Sequence, residues 1–130
     1  YVANRGQGAM RHMWPHRSLI AAGVPAPGHS DFAVCRVNPF TAMAAMVTRR
    51  SQTGADLDAT EAVTPMQALA AYTILGAWAQ REEHDKGSLE TGKLADLAVL
   101  DTDILTCDPA LSRTTRVVAT VVGGACRHAG

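Results

Sequence analysis

The sequence predicts an α/β fold, with its helices in the middle of the chain and its strands at the end. Three observations carry that reading. Apolar residues recur at three- and four-residue spacing over residues 39–50 and 64–81, and both stretches open on helix-capping residues. Beyond Gly87 the pattern changes to short β-branched runs ending in a Gly-Gly turn. The 130 residues are 47% apolar and 18% charged, which suits one domain with a real core and excludes intrinsic disorder. No apolar run approaches the roughly 20 residues that a membrane-spanning helix needs. Nor does a basic-then-apolar signal peptide open the chain.

Residues 1–16 show no clear period and read as loop with a short helix at most. Residues 17–22 read as a short helix that Gly23 stops, because glycine accepts the left-handed conformation that ends helices. Val24 to Ser30 should be extended, since Pro25 and Pro27 forbid a helix interior and bias the residues before them. Asn38-Pro39 then opens a helix to about Arg50, with Phe40, Met43, Ala44 and Val47 on one face. Ser51 to Val63 reads as loop. Thr64-Pro65-Met66-Gln67 is a capping box with proline at the first helical position, and its helix should run to about Arg81. Glu82 to Lys86 is a solvated charged stretch. Leu94 to Asp101 and Val117 to Val122 read as strands, and Gly123-Gly124 as a hairpin turn returning through Ala125 to His128. The architecture should change near residue 86.

The zero net charge conceals an asymmetry. Residues 1–55 hold six Arg and a single acid, Asp31, whereas residues 56–130 hold six basic and eleven acidic side chains. The three cysteines cannot all pair, and their spacing matches no zinc or redox motif, so free thiols in a reducing compartment are expected. The start at Tyr1 suggests a processed product, an excised piece or an incomplete gene model.

Several groupings in the sequence suggest chemistry at first sight. His12 and His16 stand four apart, but Pro15 disturbs a shared helix and no Glu follows His12, so two unrelated histidines are expected. Arg5-Gly6-Gln7-Gly8 lacks the third glycine of a dinucleotide fingerprint. The basic run from Arg11 to Arg17 is too small for a nucleic-acid surface. In Gly28-His29-Ser30-Asp31 an acid directly follows an extended segment. That is where a barrel places chemistry, and a carboxylate there can ligate a metal and take a proton. Position alone favours the plainer reading of Asp31 as a turn-former or cap. His29, Ser30 and Asp31 make no triad by adjacency, since a triad is a spatial arrangement. Arg36 could meet a substrate carboxylate, though a surface role is expected.

Taken together, Arg17-Ser18-Leu19, Ala22-Gly23-Val24, Gly28-His29-Ser30-Asp31, Asn38-Pro39-Phe40, Thr48-Arg49-Arg50 and the stretch from Thr64 to Ala79 resemble the C-terminal part of family 3 metal-dependent amidohydrolases. Gly87 to Asp101 (GSLETGKLADLAVLD) is similar to the GxLxxGKxADLxVLD run of that superfamily, and Thr120 to Gly124 resembles its terminal hairpin. The resemblance implies that residues 1–85 are the last strand and helices of an amidohydrolase (β/α)8 barrel. It makes residues 86–130 the C-terminal part of a small flanking β-sandwich. It implies hydrolysis of non-peptide C–N bonds, amide-like or cyclic amide, through a metal-activated water. The cofactor would be a divalent metal, zinc first, and the location cytoplasmic.

The family's metal ligands include an Asp on the last strand, and Asp31 is the only matching position, so it is expected both to bind metal and to shuttle the proton. No His-x-His occurs in the chain, and a full barrel takes about 250 residues. The remaining ligands are therefore expected from a missing N-terminal barrel segment or a homo-oligomer partner. The alternative is a non-catalytic fragment that acts at most as a packing or interaction module. Small-molecule substrate, no nucleic acid and no membrane complete the expectation. Lys93 and Asp96, although diagnostic of the family, are expected to serve turn geometry and strand packing.

Overall fold

Asn38 and Thr64 set the two central helices. The computed structural model describes residues 2–51 and 53–130, so Tyr1, and Gln52 within the expected loop, lie outside the described residues. Before the central helices come two single turns, α1 (Val2–Arg5) and α2 (Gln7–Met10), and then α3 (His16–Ala21). α3 closes as expected on Gly23, at φ 70°, with Gly23 N donating to Ile20 O and Val24 N to Leu19 O, at 3.0 and 2.9 Å. These are the paired bonds that satisfy a helix's last carbonyls.

α4 (Pro39–Thr48) begins with the Asn38 side chain accepting from the backbone N–H groups of Phe40 and Thr41. The expected capping box opens α5 (Pro65–Tyr72): Gln67 N donates to Thr64 Oγ1 and Thr64 N to Gln67 Oε1, at 3.2 and 2.9 Å. Between α4 and α5 lies a 3-10 turn, Ala59–Glu61, capped by the Asp58 side chain.

The expected single helix over 64–81 is corrected. It breaks at Thr73, at φ −123° and ψ −94°, and resumes as α6 (Ile74–Ala79). Thr73 is β-branched and its hydroxyl donates back to Leu69 O at 2.8 Å, a bond that competes with the helical ladder. α6 then stops at Ala79, and Arg81 lies in the left-handed region at φ 62°.

The strand half forms a three-stranded antiparallel sheet in the order β1 (Leu97–Leu100), β2 (Val117–Val122), β3 (Ala125–Ala129). Val99 pairs with Ala119, and Val122 with Ala125, with one register irregularity in each ladder. Gly123 and Gly124 have φ of 58° and 78°, the two consecutive positive values that a tight hairpin of this twist demands. Asp96 braces the turn by accepting from Gly123 N at 2.7 Å. Lys93 donates from Nζ to Glu83 O and to Ser88 Oγ, at 2.7 and 2.6 Å. Both residues of the diagnostic run are thus occupied in local architecture. Among the described residues no closed barrel is seen, so the observed class is a mixed helix-and-strand fold.

The core joins the two halves. Met43, Val63, Ala68 and Ile104 are buried together, with Phe40, Val47, Leu69, Tyr72 and Leu100 packed around them. A 3-10 turn at Leu111–Thr114 lies against α4.

Asp101 clips β1 to the start of β2. Its carboxylate accepts from Arg116 N, Arg116 Nε and Thr102 Oγ1, each at 2.9 Å. These bonds, those from Arg116 first, hold its pKa down to about 2. A carboxyl with a lowered folded value stabilises the fold above its unfolded pKa, near 4, and that support is lost as pH falls through about 2. Asp101→Asn is therefore expected to lower the urea midpoint at pH 6, with the gap to wild type closing as pH falls from 4 to 2. A gap independent of pH would contradict this.

Candidate functional site

Asp31 is placed by a short relay from α5. After Gly23 the chain runs through residues 24–30 outside regular secondary structure, with Ala26 buried. Gly28 N donates to Ala71 O at 2.9 Å, which ties the segment to the end of α5. The Tyr72 ring covers Gly28 so closely that a Cβ there would fall 2.4 Å from a ring carbon, so only glycine fits. Tyr72 OH donates to His29 O at 3.1 Å. Burial raises the pKa of this phenol, with Cys35 adding to the rise, so it keeps the proton it donates.

Asp31 itself sits in a turn with φ 51°, a left-handed conformation that Asp tolerates better than most residues. Its N–H donates to His29 Nδ1 at 3.1 Å, and its carbonyl accepts from Val34 N at 2.7 Å. Its backbone is thus engaged on both sides, whereas its exposed carboxylate has no hydrogen-bond or ion-pair partner among the described residues. Phe32, Val34 and Val37 follow it as exposed apolar side chains, 75, 80 and 69% accessible. The turn reading and the functional reading of Asp31 are compatible: the backbone makes the turn and the side chain remains available.

A free carboxylate can supply one oxygen ligand to a metal. A catalytic zinc centre takes about three protein ligands. Among the described residues no group of three or more His, Cys, Asp or Glu side chains could hold a metal ion. His29 does not extend the set through Nδ1, which already accepts from the Asp31 amide. These residues alone do not build a metal site.

The other candidates stay apart from Asp31. His12 lies in a turn and His16 begins α3, so the two share no helix. Gly6 immediately precedes the single turn α2 and Gly8 lies within it, and the Gln7 side chain donates to Asp56 O. Arg36 is exposed, and Cys35, Cys107 and Cys126 are free thiols. Among the described residues, hollows are formed elsewhere. One, about 10 Å³ among Phe40, Met43, Ala68 and Ile104, holds no more than a water. Another, about 230 Å³, is lined by Glu82, Asp85, Lys86 and Lys93, with Lys86 paired to Glu82 at 2.6 Å.

Sequence reasoning missed a buried charged network. Arg49 is only 4% exposed. Its guanidinium donates to Asp58 O at 2.9 Å, Met13 O at 3.0 Å, Met10 O at 3.3 Å and Trp14 O at 3.4 Å. Burial lowers its pKa, against the opposing pull of Glu61 and Asp58. Glu61, also buried, accepts from Ser18 N at 2.9 Å and from Ser18 Oγ, satisfying the first turn of α3. Those bonds hold the Glu61 pKa below the usual carboxylate range, assisted by Arg49. Arg49 was legible only as part of a motif, and nothing in its spacing signalled burial.

Comparison with known proteins decides the family. A model of the amidohydrolase family matches residues 1–128. The chain belongs to the amidohydrolase family. It is 38% identical over 116 residues, 89% of its length, to the N-substituted formamide deformylase of Arthrobacter pascens. It is 28% identical over 122 residues, 92% of its length, to a protein named as an amidohydrolase, YtcJ, of Bacillus subtilis (strain 168). The chain spans 21 and 23% of the length of these two relatives. The amidohydrolase family is generally metal-dependent and acts on C–N bonds, and the Arthrobacter pascens relative is named for deformylating N-substituted formamides. Among the described residues, no helix is long and apolar enough to cross a membrane.

Proposed function

We propose that these residues are the C-terminal portion of a metal-dependent amidohydrolase that cleaves non-peptide C–N bonds of amide-like or cyclic amide substrates. N-substituted formamides are the first substrates to try, because the relative at 38% identity is named for them. The observation that carries the reading is the free carboxylate of Asp31 on a backbone held by α5, in a chain that matches the family along nearly its whole length.

In this reading residues 1–85 supply the last strand and helices of the barrel, with residues 24–30 in the strand's place, and residues 86–130 complete the flanking β-sandwich. Asp31 takes a proton from the attacking water and delivers it to the leaving nitrogen, which lets the amine depart neutral. Phe32, Val34 and Val37 line the pocket beside it. A divalent metal, zinc first, would be held by Asp31 together with ligands from a preceding barrel segment or another copy of the chain, and would supply a lowered water pKa. The protein works in the cytoplasm.

The competing reading is a non-catalytic fragment, favoured by the lack of a metal-holding group among the described residues. The 130-residue chain and a version extended at its N-terminus are to be compared for metal content and for amine release from an N-alkylformamide. The extended protein is expected to bind metal and turn over, and the short chain to do neither. Hydrolysis by the short chain at the same rate would overturn the portion reading, and no hydrolysis of any amide by either would overturn the enzyme.

A further inference from the structure

We propose that His29 and Tyr72 are positioning residues for Asp31, coupling the end of α5 to the carboxylate through the backbone. The inference rests on the reading of Asp31 as the proton-carrying group. Four contacts run in series. Ala71 O accepts from Gly28 N at 2.9 Å, and the Tyr72 ring covers Gly28, where a Cβ would meet it at 2.4 Å. Tyr72 OH donates to His29 O at 3.1 Å, and His29 Nδ1 accepts from Asp31 N at 3.1 Å. The last contact matters most, because Asp31 sits at φ 51°, a region that side-chain-bearing residues seldom occupy without a local hold.

The His29 side chain supplies that hold two residues back along the chain. This is the geometry in which Asn and Asp side chains also accept from a downstream amide. Without it the amide loses its acceptor and the turn can relax, which carries the carboxylate away from the position where water and leaving nitrogen must meet. The carboxylate oxygens themselves have no partner among the described residues, so its aim depends on the backbone alone. Groups that orient a reacting side chain in this way, without touching substrate, are worth about 10–100-fold in activity.

The inference predicts a defect in kcat rather than KM, and a defect that chemistry at the right place repairs. The test uses whichever form of the protein, short or extended, hydrolyses an N-alkylformamide. His29→Ala should lower kcat about 10–100-fold with KM within about 2-fold. His29→Asn, whose Oδ1 can accept from the Asp31 amide, should recover most of it. Tyr72→Phe keeps the ring over Gly28 and loses only the hydroxyl, so a smaller kcat loss is expected.

Asp31→Asn runs in parallel to separate failures. An inactive Asp31→Asn beside a fully active His29→Ala would overturn the positioning role and leave the reading of Asp31 intact. A fully active Asp31→Asn would overturn both. Equal losses in His29→Ala and His29→Asn would give the imidazole a role of its own and overturn the inference. A second readout needs no turnover: hydrogen exchange at the Asp31 amide of the full chain should speed up in His29→Ala and slow again in His29→Asn. An unchanged rate would count against the inference.

Discussion

If Asp31 carries the proton as proposed, Asp31→Asn is expected to cut turnover of the hydrolysing protein by about 10³-fold or more while it remains folded. The substitution is unusually clean at this position. Asn has the size of Asp and shares its tolerance of the left-handed region, so φ 51° is no obstacle. The contacts that make the turn are the Asp31 N–H donating to His29 Nδ1 and its carbonyl accepting from Val34 N, and neither involves the side chain. The carboxylate oxygens bond to no described residue, so nothing structural is lost with the charge. A change in stability within about 0.5 kcal/mol is expected, as for other exposed sites. On the proposed reading, what disappears is a base able to accept the water's proton, together with the one anionic ligand this chain would offer a metal. Turnover near the wild-type level, with metal content unchanged, would refute the assignment of Asp31.

The elements that were legible in the sequence are those with local causes. Asn38-Pro39 and Thr64-Pro65-Met66-Gln67 specify their helix starts through bonds within three residues, and both caps form. Gly23 closes α3, and Gly123-Gly124 makes the hairpin, because the backbone conformation itself demands glycine. The break at Thr73 was not legible. The apolar stripe continues across it, and the period alone carries no mark of the Thr73 hydroxyl turning back to Leu69 O.

The site shows the same division. Asp31 was reached through the motif around it, whereas its relay to Tyr72 spans 41 positions of sequence between two segments with no shared pattern. Charge arithmetic singled out Asp31 as the lone acid of residues 1–55, but that isolation has a different structural meaning. The buried cation of that half, Arg49, is answered by Glu61 and Asp58 from beyond residue 55 and by main-chain carbonyls. Asp31 is thereby left uninvolved in any such pairing.

Arg49→Met is expected to be the most damaging substitution for stability, at about 3–5 kcal/mol. Four main-chain carbonyls, from Met10, Met13, Trp14 and Asp58, accept from this one guanidinium, which is 4% exposed. Methionine fills much of the space but donates nothing, so carbonyls turned inward lose their donor and the buried Glu61 loses its nearby cation. With denaturant slopes of about 1–3 kcal/mol per M in urea, the midpoint should fall by more than about 1 M.

Two further variants of Arg49 separate causes. Lysine keeps the charge but lacks the planar fork that reaches several carbonyls at once, so Arg49→Lys should recover only part of the loss. Glycine removes the side chain yet relieves the left-handed backbone at φ 52°, so Arg49→Gly should lie about 1 kcal/mol above a variant that lacks the guanidinium but keeps a Cβ. It should still fall well below wild type. If Arg49→Met unfolds within about 0.3 M of wild type, the guanidinium does not hold the Met10–Trp14 segment against the end of α4. If Arg49→Gly matches wild type, backbone strain rather than the lost donor dominates at this position.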